Sequence, residues 1–83
     1  MTSNSMPPVL QNNLIPYYYQ IREIIRHRII DGEYEPGDKI PSEAELQEYF
    51  GVSRGTIRKA VDSLVAAGML RREQGMGTFV SEP

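Results

Sequence analysis

The stretch PSEAELQEYFGVSRGTIRKAVDS, Pro41 to Ser63, decides the fold. Ser42 is followed three residues later by Glu45, the spacing of a capping box: the serine hydroxyl accepts the Glu45 N–H and the glutamate reaches back to the Ser42 N–H. A helix therefore starts after Ser42. Leu46 and Phe50 are four apart and share one face, and Gly51 supplies the left-handed conformation that closes many helices. Val52 is apolar and suits the angle between two helices. Ser53 is a second N-cap, with Arg54, Gly55 and Thr56 in the first turn of the next helix. The connection of three or four residues has the length of a helix-turn-helix.

The second of these helices divides by face. Ile57, Ala60, Val61 and Leu64 follow the i, i+3, i+4, i+7 pattern of a core-facing stripe, and Gly68 is placed to end the helix. Arg54, Arg58 and Asp62 run along another face. An arginine at a helix start opposes the helix dipole, so Arg54 is poorly placed for stability but well placed for an incoming anion. Free N–H groups at that end attract phosphate, and an arginine fork fits guanine O6 and N7.

After Gly68 the pattern changes. MLRRE and TFVSE are short runs with β-branched and aromatic residues, and the intervening QGMG carries two glycines suited to a tight hairpin. This predicts a two-stranded wing. Met69, Leu70, Phe79 and Val80 are expected to cover the open side of the helical core, with Arg71 and Arg72 near the surface. Having no Cβ, Gly75 or Gly77 lets the backbone approach a groove or phosphate closely.

Upstream, Pro16 suits a first helical turn, and Tyr18, Ile21, Ile25 and Ile29 predict an amphipathic helix ending near Asp31-Gly32. Of Tyr17, Tyr18 and Tyr19, one is expected in the core and another against the helix start. EYEPGDKI holds a Pro36-Gly37 turn and a short extended piece, Lys39-Ile40, that can pair with the wing as a third strand. The expected fold class is α+β: a small winged helix-turn-helix with three helices, a β-hairpin wing and a possible short third strand. Residues 1–13, MTSNSMPPVLQNN, are polar, have two prolines and lack periodicity, so they are expected to be disordered; residues 14–81 form the domain.

From Leu14 to Val80 the chain resembles the DNA-binding domain of GntR-family bacterial transcription regulators. PGDKIPSE, VSRGTIRKA and QGMGTFV carry the likeness. The PYYYQI opening and GMGTFV ending are similar to the HutC-like branch. The resemblance implies sequence-specific binding of double-stranded operator DNA by a transcription repressor. The recognition helix, residues 53–67, would lie in the major groove and the wing, residues 71–80, at the minor groove. It maps Ser53, Arg54, Thr56 and Arg58 onto recognition-helix contacts, Gly75 onto the wing glycine and Thr78 onto a backbone-contacting position. Ser42, Gly55, Lys59, Arg72 and Gly77 complete the expected DNA-binding set. The resemblance also implies a C-terminal domain, absent from this chain, that binds a small-molecule effector and holds a homodimer on a palindromic operator. Two residues depart from the family pattern. Ala44 stands where many members have an arginine, and Gly55 replaces a bulkier residue, which costs the helix start up to about 1 kcal/mol relative to Ala.

Charge argues against DNA binding: the chain carries net −2, whereas DNA-binding domains are usually basic. Its distribution answers in part. Residues 51–83 hold five basic and three acidic residues, net +2, against four and eight, net −4, in residues 1–50. A winged-helix module that binds an acidic protein partner, without DNA, is the alternative reading. Eighty-three residues leave little room for a catalytic pocket, and no nucleophile–base pair can be assembled, so an enzyme is not expected. With no cysteine, and with His27 alone beside Arg26 and Arg28, neither a metal site nor a cofactor is expected. No apolar run reaches the ~18 residues of a membrane span and no signal-peptide core is present, so a cytoplasmic, nucleoid-associated location is expected.

Overall fold

The computed structural model of the chain describes residues 10, 11 and 14–82. Both caps read from the sequence are made. Ser42 Oγ accepts the Glu45 N–H at 3.1 Å and Glu45 Oε1 accepts the Ser42 N–H at 2.8 Å, which starts α2, Glu43–Phe50. Gly51 closes that helix at φ +70°. Ser53 Oγ accepts the Thr56 N–H at 3.2 Å and starts α3, Arg54–Ala66. The connection is three residues long, Gly51 to Ser53. At the far end of α3, Gly68 turns at φ +79° and the Met69 N–H is accepted by Leu64 O at 3.0 Å. The chain thus leaves the helix directly into the wing. The first helix, α1, runs Tyr17–Ile30 and has no side-chain cap at Pro16.

The predicted stripes meet in one core. Ile21 and Ile25 of α1, Leu46 and Phe50 of α2, and Ile57, Ala60, Val61 and Leu64 of α3 are buried together with Ile40, Leu70 and Val80. Tyr18, Ile29, Val52 and Met69 pack on its edge. Tyr18 is the tyrosine that reaches the core; Tyr17 and Tyr19 are exposed, and so is His27.

The wing consists of β1, Leu70–Glu73, and β2, Gly77–Val80, paired antiparallel with Leu70 opposite Val80 and Arg71 opposite Phe79. This register corrects one expectation. Side chains alternate across a strand, so Leu70 and Val80 enter the core while Phe79 shares the outer face with Arg71, whose guanidinium lies 5.3 Å from its ring centroid. The expected third strand is present as a single bridge, Lys39 to Phe79. Ile40 N–H donates to Thr78 O at 2.9 Å, and Val80 N–H to Asp38 O at 2.8 Å. Pro36 and Pro41, which lack N–H donors, bracket this segment. The tie fastens the wing to the loop that leads into α2.

Within the segment expected to be disordered, Leu10 packs on the core edge, and Gln11 exchanges two hydrogen bonds with Gln20, at 2.8 and 2.9 Å. Both contacts follow from local chemistry: an apolar side chain reaches the core edge, and one amide side chain satisfies a backbone donor and acceptor. The rest of that segment lies outside the described residues.

Candidate nucleic-acid interface

The starts of α2 and α3 and the hairpin tip enclose an open groove of about 450 Å³. Of the expected DNA-binding residues, Ser42, Arg54, Arg72, Gly75, Gly77 and Thr78 line it. Their positions follow from local structure. Ser42 is committed to its cap. Arg54 is the first residue of α3 and points outward because the core stripe begins at Ile57. Arg72 pairs across the hairpin with Thr78, two residues past the core pair Leu70–Val80, so alternation aims both at the groove. Gly75 sits at the tip at φ +77° with open space around its missing Cβ, beside exposed Met76. At Gly77, φ is +126° and a Cβ would come within 2.7 Å of Lys39 Cε. A side chain there would therefore be both strained and displacing.

Other expected residues lie on a second concavity between the starts of α1 and α3. It is lined by Ser53, Gly55, Thr56 and Lys59 together with Tyr17 and Tyr18. Ser53 Oγ and Thr56 Oγ1 are 3.0 Å apart, and Lys59 Nζ stands 4.3 Å from the Tyr18 ring centroid, a cation–π contact. At Gly55 a Cβ would meet nothing closer than Ser53 Oγ, at 4.0 Å, so the missing side chain leaves this end of α3 open.

The arginines meet on a residue the sequence reading passed over. Glu43, the first residue of α2, lies 3.7 Å from Arg54 Nε, 3.5 Å from Arg58 and 3.0 Å from Arg72. Arg72 also bonds Asp62, at 2.5 Å. Burial is the largest influence on the Glu43 carboxyl and raises its pKa, but Arg72 and Arg58 together outweigh it and hold the group below the ordinary carboxylate range. The same balance, burial against Asp62 and Glu43, leaves Arg72 more firmly protonated than usual. Glu43 joins residues 11 to 29 positions away, which no local periodicity displays; its only sequence cue is an acid at a helix start facing unpaired arginines. Lys39, read only as part of an extended piece, is the other omission, since it floors the groove under Gly77.

The sequence model for bacterial regulatory proteins of the gntR family matches residues 17–80. The chain belongs to the GntR family. It is 51% identical over 69 residues to the HTH-type transcriptional repressor NagR of Bacillus subtilis, covering 83% of this chain and 28% of that protein. The histidine utilization repressor of Klebsiella aerogenes is 48% identical over 68 residues, covering 82% and 28% respectively, in line with the HutC-like likeness. This GntR domain thus spans little more than a quarter of the length of these curated relatives. Among solved structures it is similar to AraR(DBD) in complex with operator ORX1, with a TM-score of 0.87 and 44% identity over 92% of this chain and 98% of that one. The relatives are transcriptional regulators, and the fold is that of GntR and AraR winged-helix domains.

Proposed function

We propose that the chain is the operator-binding domain, residues 14–81, of a bacterial transcription repressor. The observation that carries this is the groove between α3 and the wing, lined by Arg54 and Arg72 and joined by Arg58 through their shared contact with Glu43, on a fold that AraR(DBD) uses in complex with an operator. The start of α3 enters the major groove, where Arg54 and Arg58 read guanine or phosphate. Gly75 and Gly77 bring the hairpin backbone to the minor groove, with Arg72 and Thr78 alongside. Ser42, Ser53, Thr56 and Lys59 face phosphates, and Gly55 leaves room for the DNA backbone. The whole regulator is a cytoplasmic, nucleoid-associated homodimer. A C-terminal domain outside this chain joins its subunits and binds a small-molecule effector, and its two domains meet palindromic half-sites about one helical turn apart.

The test is selection of bound duplexes from a random pool, followed by titration across a salt series. The expected result is one enriched palindromic motif and an affinity that falls linearly in log–log form with salt. Absence of salt-sensitive binding even at about 50 mM salt refutes the proposal.

A further inference from the structure

The three arginines of the candidate interface do not stand free. Their side chains are 66%, 61% and 38% exposed for Arg54, Arg58 and Arg72, while the Glu43 side chain they share is only 16% exposed. Glu43 is also fixed from its own backbone, since it lies between the two partners of the capping box, Ser42 and Glu45. Its Oε1 faces Arg54 and Arg58 of α3 and its Oε2 faces Arg72 of the wing. One carboxylate thus spans the two elements that enclose the groove.

We propose that Glu43 is a positioning residue for DNA specificity: it arranges Arg54, Arg58 and Arg72 before DNA arrives and weakens the pull of this face on non-operator DNA. This rests on the operator-binding function proposed above. The contacts to Arg54 and Arg58, at 3.7 and 3.5 Å, are loose. A guanidinium has five N–H donors, so each arginine keeps donors for a base edge while its rotamer is restricted. Restricting a flexible side chain beforehand reduces the ordering cost of binding. Charge supplies the second half. With Glu43 and Asp62 counted, the cluster carries net +1 rather than +3. Non-specific attraction follows the phosphates neutralised, whereas base reading depends on donor geometry. A carboxylate that preserves geometry and cancels charge therefore lowers binding to arbitrary DNA more than binding to the operator.

The test compares the 83-residue chain with Glu43→Gln and Glu43→Asp by fluorescence anisotropy. The probes are the duplex selected from the random pool and a scrambled duplex of the same length and composition, each across a salt series, with circular dichroism to verify folding. Glu43→Gln is expected to bind the scrambled duplex several-fold more tightly at low salt. Its salt slope should steepen by about 0.9, one uncancelled charge, and its operator-to-scrambled ratio should fall about tenfold. Glu43→Asp keeps the charge on a shorter arm. It should retain the wild-type salt slope yet lose part of the ratio, and it carries the test if Glu43→Gln does not fold. A purely structural role would weaken both duplexes by one factor; an unchanged ratio in the folded variants overturns the inference. Equal binding of both duplexes by the wild-type chain would instead refute the operator-binding function itself.

Discussion

Replacing Arg58 by alanine separates what the outer face of α3 does for binding from what it does for folding. The side chain is 61% exposed and, among the described residues, its one ion pair is the 3.5 Å contact with Glu43. An exposed pair contributes about 0.2–1 kcal/mol. Alanine is also the better helix former by a few tenths of a kcal/mol, which offsets part of that loss. The net cost to folding is therefore about 0.5 kcal/mol or less, a fall in Tm of less than about 4 °C for a domain of this size. Binding should respond far more. An arginine forked onto guanine supplies about 1–3 kcal/mol of discrimination, roughly 5- to 150-fold in affinity. If it meets a phosphate instead, affinity falls on every duplex alike and the salt slope shrinks by about 0.9. Anisotropy titrations on the selected duplex, and on one with each guanine replaced in turn, distinguish these cases, while calorimetry follows Tm. Adding Arg54→Ala should give a non-additive result, because both arginines share Glu43. Two outcomes refute the reasoning: operator affinity within twofold of wild type at about 100 mM salt, or a Tm loss above about 8 °C, which would make Arg58 a structural residue.

Two further predictions concern the frame. Leu64 is 0% exposed at the centre of the core, so Leu64→Ala should cost about 2–5 kcal/mol, read as a lower urea midpoint; a loss under 1 kcal/mol would mean the site collapses around the gap. The Glu43 carboxyl is held below its ordinary value of 4.5, so its stabilising contribution is complete above that value and is lost as pH falls through the lower folded-state value. Tm should therefore be level from about pH 7 to 5 and decline below about 4.5, with a shallower decline in Glu43→Gln; parallel declines in the two proteins would show that the cluster does not stabilise the fold.

What the sequence makes legible here is what depends on neighbours three or four positions away. Ser42 with Glu45, Ser53 with Thr56, and the stripe from Ile57 to Leu64 are local patterns, and all are realised. Phe79 shows where such reading fails. An apolar residue beside a glycine hairpin invites assignment to the core, but its side is set by the register with β1, and that register places it against Arg71. Similarly, Lys39 is extended in any reading, while its seat beneath Gly77 depends on a contact across 38 positions. Among the candidate site residues the outward arginines are legible because they interrupt an apolar period. Glu43 is not, because its partners come from two other elements, α3 and β1, whose approach to α2 only the packed core determines.

The sign of the whole chain is accordingly a weak guide to what the groove attracts. Several acids that make the net charge −2 are already engaged: Glu23 with Arg22 and Arg26 on α1, Glu33 with Arg28, Glu73 with Arg71. The pairs of Arg22, Arg26 and Arg28 lie apart from the residues that line the groove, while Glu73, held by Arg71, sits at its hairpin end. Glu43 and Asp62 instead enter the basic cluster and leave it with a small surplus of positive charge. A cluster so nearly balanced has little long-range attraction, because exposed charges are screened within about 10 Å at 0.1 M salt. If it binds operator DNA as proposed, the discrimination must come from the directed donors of Arg54 and Arg58 at contact distance. A single domain would then hold its half-site weakly. In the homodimer proposed above, two joined domains would gain through effective concentration what each lacks in charge, and occupancy would then depend steeply on the spacing of the pair, the variable a joining domain would alter.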